Sequence, residues 1–298
     1  MENAPSRTAF GTAFARAVHL RVDDPPPVLG DGVAERLLPG YQQRYIRRLG
    51  ALTRFWRGYY IRQADAFTAL RSQVVVRSRY AEDALAAAHD GGTERYVILA
   101  AGLDTFALRQ PASPMAMARA TAIEVLEIDH PATQGWKREL LRTRGLDVPA
   151  ELAFLPIDFE TESLAGAWPT RPAPDFVSWL GATYYLTRDA IAGTLETLTA
   201  ATAPGSRLVL DYWSARPPTA AGNLLLWGTR MAVALQQEPM LSFFEPEEIE
   251  SLAAAAGWSV LENLDAADQN ERYLHGRRDG LVVPSFAHLL QIERTADD

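Results

Sequence analysis

The chain contains no cysteine, and that absence removes thiol nucleophiles, disulfide frameworks and cysteine-ligated zinc together. Histidine is scarce as well: the five residues His19, His89, His130, His275 and His288 are scattered without metal-ligand spacing, so no metal is expected. The chemistry falls to oxygen and nitrogen groups. No run approaches the roughly 18 uninterrupted apolar residues of a membrane-spanning helix. The start, Met1 to Phe14, lacks the basic-then-apolar layout of a signal peptide, and a cytoplasmic protein with no membrane partner is the expectation. Lysine is almost missing. Lys137 is the only one among 29 basic residues, a bias that GC-rich coding produces without functional demand.

What is present is a globular composition. The 298 residues are 48% hydrophobic with a mean hydropathy of -0.12, enough apolar material for one large domain or two small ones. The net charge of -8 argues against nucleic acid, whose binding rests on attraction to phosphates. The charge is unevenly spread: residues 1–80 hold 13 basic and 6 acidic side chains, so the remainder carries -15 and attracts the amino-terminal part.

From Gly40 to Ala88 apolar residues recur with helical period (Ile46, Leu49, Leu52, Phe55, Trp56, then Ala66, Leu70, Val74, Ala81, Leu85), which predicts two or three helices. The Asp24-Pro25-Pro26-Pro27 run breaks the chain ahead of them, leaving an arm or short helix plus loop over residues 1–30. After Gly91-Gly92 five strand-like segments follow at intervals of about 25–30 residues: Tyr96–Ala101, Val125–Asp129, Leu152–Ile157, Phe176–Leu180 and Arg207–Tyr212. Helix-like stretches such as Ala132–Arg144 and Arg188–Thr202 lie between them, the alternation of a doubly wound parallel α/β sheet. Trp258–Leu264 and His288–Glu293 can add two strands, the last entering antiparallel at the sheet edge. These readings divide the chain into an arm and helical cap (1–90) and a Rossmann-like domain (91–298), with the aromatic segment 213–243 as a lid insertion.

Open α/β sheets bind ligands at the carboxyl ends of their strands. The first strand runs into Ala100-Ala101-Gly102-Leu103-Asp104-Thr105, small residues that let a ligand approach the backbone, without the Gly-x-Gly-x-x-Gly loop of a dinucleotide site. The second ends in Glu127-Ile128-Asp129-His130-Pro131, placing a carboxylate where ribose hydroxyls lie in a nucleotide-binding sheet. The third ends in Ile157-Asp158-Phe159, an acid for an exocyclic amine and a ring to lie against the base. Each feature has an ordinary use too, as a tight turn or a helix N-cap. Together they describe an adenosine site without phosphates.

These segments, with Arg77-Ser78-Arg79-Tyr80 through Asp83, Gln134, Lys137 and Trp179-Leu180-Gly181-Ala182-Thr183-Tyr184-Tyr185-Leu186-Thr187, make the sequence resemble the leucine carboxyl methyltransferase family, and more closely its bacterial branch of S-adenosylmethionine-dependent O-methyltransferases. Ser6-Arg7-Thr8-Ala9 and Ala13–His19 extend the likeness over nearly the whole chain. The resemblance implies a class I methyltransferase-like, mostly parallel seven-stranded sheet, and S-adenosyl-L-methionine as cofactor. It implies Arg77 for the methionine carboxylate, Ala101, Gly102 and Asp104 at the methionine end, Asp129 and His130 at the ribose, Asp158 and Phe159 at adenine, and Gly181 beside the cofactor. One departure stands out: many members carry an acid before the fourth-strand glycine, where this chain has Leu180.

Methyl transfer from a sulfonium is an in-line displacement that asks mainly for alignment and a dry cavity. An acceptor carboxylate is already ionised at neutral pH, whereas a phenol benefits from a general base. No base stands out in the sequence, which favours carboxyl methylation, and no catalytic residue is assigned. Tyr185, Trp213, Trp227 and Phe243 are the candidate acceptor contacts, fitting a small, largely apolar natural product or similar metabolite; core packing is the alternative use of the same residues. Two other readings stay open, an NAD-dependent oxidoreductase and a non-methylating descendant that keeps the cofactor as a structural ligand.

Overall fold

Apolar segments buried on both faces pack compactly when laid side by side with helices above and below. The computed structural model, which describes residues 7–55, 66–110, 123–158, 169–234 and 239–296, has that arrangement. Strands β1 (Arg95–Leu99), β2 (Glu124–Asp129), β3 (Leu152–Pro156), β4 (Phe176–Trp179), β5 (Arg207–Trp213), β6 (Trp258–Leu264) and β7 (Ala287–Arg294) form one seven-stranded sheet in the order β3-β2-β1-β4-β5-β7-β6. The first five are parallel.

The expectation of a last strand at the sheet edge is corrected. β7 does run antiparallel, but it enters between β5 and β6 and leaves β6 outermost. The burial of β7 explains the choice: Leu289, Leu290 and Ile292 are at most 1% exposed and need cover on both sides, whereas β6 leaves Val260 and Leu261 exposed.

Helices α1 (Arg7–Val22), α2 (Ala34–Leu37), α3 (Gly40–Phe55) and α4 (Ala66–Asp90) precede β1. Later come α5 (Phe106–Arg109), α6 (Pro131–Thr143), α7 (Arg188–Ala201), α8 (Ala220–Ala234), α9 (Pro246–Ala255) and α10 (Ala266–Leu274). Alternation along each strand sends Val97, Leu99, Leu208 and Leu210 against α7 and α9, and Tyr96, Ile98, Val125 and Val209 against α4 and α10. A third apolar cluster joins α1, α2 and α3 to α6 through Leu103, which ties the amino-terminal helices to the β1 turn. Local chemistry starts the helices where the sequence indicates: Thr187 caps α7, and Glu245 with Glu248 forms a capping box ahead of α9.

The insertion after β5 consists of α8 and a return segment at 239–244, where the Leu241 N–H donates to the Tyr184 carbonyl at 2.7 Å and the Phe244 N–H to that of Trp213 at 3.0 Å. Trp213 belongs to the sheet rather than to the insertion, because its backbone pairs with Ala287 of β7. Among the described residues no helix is long and apolar enough to cross a membrane, and no group of three or more His, Asp or Glu could hold a metal ion.

Candidate functional site

The strand order fixes where a crevice opens. The chain proceeds from β1 outward through β2 and β3, then returns to place β4 on the other side of β1, and connections that diverge in this way leave a gap at the carboxyl ends. Leu99 pairs with Trp179, so the turn after β1 and the turn after β4 lie side by side.

The β1 turn carries two residues at positive φ, Ala100 and Gly102, both at 51°. For alanine this left-handed conformation costs about 1–2 kcal/mol, and it brings backbone rather than side chain to the crevice. A Cβ at Gly102 would lie 3.3 Å from that of Ala9, so α1 packs directly on the turn. The Gly102 N–H donates to Asp129 Oδ2 at 2.5 Å and the His130 N–H to Oδ1 at 2.7 Å. Burial raises the Asp129 carboxyl pKa, and these two bonds oppose it. With one N–H on each oxygen, the carboxylate keeps lone pairs for two further donors, the demand of a ribose diol. Ala101 is buried behind the turn and accepts the Asp104 N–H at 2.8 Å. His130 caps α6 through Nδ1, which accepts from Ala132 N at 3.1 Å. Its Nε2 therefore carries the proton in the neutral ring, and it lies 3.9 Å from Asp158 Oδ2. Asp158 follows β3 on the same edge; Phe159 lies outside the described residues.

Two buried ion pairs anchor this turn. Arg16 of α1 pairs with Asp31 at 2.8 Å and donates to the Leu103 carbonyl at 2.6 Å. Lys137 of α6 pairs with Glu127 of β2 at 2.5 Å and donates to the Asp104 carbonyl at 2.7 Å. Burial works against ionisation of Asp31, but Arg16, Arg109 and the donors Thr105 and Ala34 outweigh it and hold the pKa low. At Glu127 the balance reverses: burial pushes its pKa up to about 7 against the opposing pull of Lys137. The Asp104 carboxylate accepts the Phe106 N–H at 2.7 Å and opens α5.

The β4–β5 end is built around Arg77 of α4. Its Nη1 donates to Asp211 Oδ2 at 2.8 Å and to the Tyr184 hydroxyl at 3.0 Å. Asp211 Oδ1 accepts the Gly181 N–H at 2.5 Å. Gly181 is required twice over, by its φ of 77° and because a Cβ there would sit 2.5 Å from Arg77 Nη2. Burial pushes the Tyr184 phenol up to about 12. Among the described residues Arg77 Nε and Nη2 have no hydrogen-bond partner, and this guanidinium edge can take a carboxylate by two parallel bonds. Leu180 stands before the glycine, yet a carboxylate still reaches Gly181, supplied by Asp211 from β5. Asp211 and Tyr184 were not among the sequence candidates. An acid inside the apolar run Leu208-Val209-Leu210-Asp211-Tyr212-Trp213 was the available signal, since such a group demands a buried partner.

The proposed acceptor contacts separate. Tyr185, half-buried, packs edge-on to Tyr184 at 4.7 Å. Trp213 is 4% exposed, wedged between Tyr184 at 4.6 Å and Phe286 at 4.5 Å, and its indole N–H has no hydrogen-bond partner among the described residues. Phe243, also half-buried, lies under the Arg230 guanidinium at 4.8 Å. Trp227 stands apart, 63% exposed on α8 with Leu224 and Met231.

The fold is a Rossmann-like doubly wound sheet whose crevice lies at the carboxyl ends of β1 and β4. The family model of leucine carboxyl methyltransferase matches residues 9–199, and the chain belongs to that family. A Bacillus subtilis (strain 168) protein named "Putative S-adenosyl-L-methionine-dependent methyltransferase YktD" is 31% identical, covering 97% of this chain and 98% of its own length. A Mycolicibacterium vanbaalenii relative with the same functional description is 32% identical over 71% of this chain and 69% of its own. Among solved structures, a duf574 family protein from Streptomyces avermitilis shares the fold with a TM-score of 0.55 at 14% identity, covering 95% of this chain and 97% of that one.

Proposed function

We propose that the chain binds S-adenosyl-L-methionine in the β1–β4 crevice and transfers its methyl group to an oxygen, preferably a carboxylate, of a small and largely apolar acceptor. The observation that carries this reading is Asp129, whose carboxylate spans the β1 and β2 tips and retains lone pairs on both oxygens. Asp129 takes the ribose hydroxyls, the 100–104 turn receives the methionine end, and Arg77 meets the amino-acid carboxylate with its Nε–Nη2 edge. Asp158, with Phe159, takes the adenine. The bound cofactor supplies an electrophilic methyl on sulfur, and the protein's part is alignment and exclusion of water.

The chemistry of the second tip supports an acceptor that arrives ionised. Tyr184 is committed to Arg77 and its phenol is pushed up to about 12, while Asp211 is paired with Arg77. His130 belongs to the ribose side. A carboxylate needs no base from any of them. Incubation with labelled cofactor and a panel of small aromatic and aliphatic acids tests the reading. A labelled product that base hydrolyses is the expected ester. A base-stable product moves the acceptor to a hydroxyl, and tight cofactor binding without turnover on any acid or alcohol overturns the transferase reading.

A further inference from the structure

Lysine at one position in a chain that otherwise uses arginine for every basic residue is a chemical choice, and the structure places that lysine at 1% exposure beneath the β1 turn. Its ammonium bridges three pieces of chain: it belongs to α6, pairs with Glu127 in the middle of β2, and donates to the Asp104 carbonyl. A planar guanidinium favours two parallel bonds to one carboxylate, whereas a compact tetrahedral ammonium can point separate N–H bonds at acceptors on different elements. The neighbouring carbonyl, Leu103, is held by Arg16 of α1 with its own buried acid, Asp31. Consecutive carbonyls are thus pulled toward two cations, and the Gly102 N–H toward Asp129.

We propose that Lys137 is a positioning residue for the cofactor. It sets the peptide after Asp104, and through it the turn at the methionine end, by the bond to the Asp104 carbonyl rather than by its charge pairing with Glu127. The inference rests on the reading of the crevice as the S-adenosylmethionine site.

The two parts of Lys137's environment can be separated. Glu127→Leu with Lys137→Met replaces the buried pair with apolar side chains of similar volume, a change that commonly leaves stability intact or improves it. Glu127→Gln keeps an oxygen for Lys137 and leaves the Asp104 bond in place. Affinity for S-adenosylhomocysteine is measured by calorimetry, and melting temperature in parallel. The double variant is expected to melt near the wild type yet bind about ten-fold more weakly, while Glu127→Gln binds within about two-fold of the wild type. Binding by the double variant within that same margin overturns the proposal, as does an equal loss in Glu127→Gln. Should the double variant fail to fold, Lys137→Met combined with Glu127→Gln, which removes the Asp104 bond without leaving a buried carboxylate unpaired, is measured instead and must show the same roughly ten-fold loss relative to Glu127→Gln alone. Wild-type protein that does not bind S-adenosylhomocysteine sinks the cofactor reading itself, an outcome distinct from normal wild-type binding with an indifferent variant.

Discussion

The β1–β2 tip and the β4–β5 tip use the same parts, a glycine at positive φ with its N–H on a buried or half-buried carboxylate, and finish them differently. At the first tip Asp129 holds Gly102 and keeps lone pairs, while the cations lie behind the turn on Asp31 and Glu127. At the second tip Asp211 holds Gly181 and is itself met by Arg77, so charge is cancelled within the site and aromatic rings close around it. The first arrangement leaves acceptors for a polar ligand, and the second leaves one edge of a guanidinium in an apolar setting. A single polypeptide thereby sets a tip rich in free acceptors beside one that offers a cationic edge among aromatic rings.

Removing Asp211 should break the comparison most severely. Asp211→Ala strands a buried guanidinium, and unfolding by urea is expected to show a loss of about 3–5 kcal/mol. Asp129→Ala should act on affinity instead, weakening S-adenosylhomocysteine binding by about 1–3 kcal/mol in calorimetry; an unchanged isotherm would dissolve the distinction between the tips. Gly181→Ala adds left-handed strain of about 1–2 kcal/mol and pushes against Arg77, and a lower melting temperature with weaker cofactor binding is the expected pair of readouts. The proton on Glu127 provides a subtler contrast. Its pKa in the fold, about 7, lies above the ordinary 4.5, so the stability it confers is complete below pH 4.5 and disappears as pH climbs through 7. The unfolding free energy of wild type relative to Glu127→Gln, from denaturant titrations, should therefore fall across that window by at most about 3 kcal/mol. Trp227→Ala, on an exposed face, should leave stability within about 0.5 kcal/mol. A raised KM for acceptor in that variant would then report contact with the acceptor alone.

Much of this was legible in the sequence because it is local. Short apolar runs between turn residues mark the strands, and Trp258–Leu264 is a strand over the range its pattern gives. Gly102 and Asp129, each at the end of such a run, follow from strand position alone. The position of β7 inside the sheet is tertiary: which strand pairs with β5 depends on burial of both faces, which periodicity does not report. The Arg77–Asp211 pair joins residues 134 apart, and each half alone looks like a solvated arginine or an odd acid in a strand. Composition likewise cannot tell which way an aromatic faces. Trp213 sits in the core and Trp227 faces outward, although both come from one aromatic stretch.

The contact of Ala9 with Gly102 has a practical consequence for handling the protein. Because β7 runs against its neighbours, Arg294 emerges beside Ser206, at the opposite end of the sheet from the crevice. Helix α1 instead packs on the β1 turn at the crevice end, with Ala9 against Gly102. Fluorophores and surface attachments therefore belong near Arg294, and trimming the first helix to aid crystallisation would unpack the β1 turn.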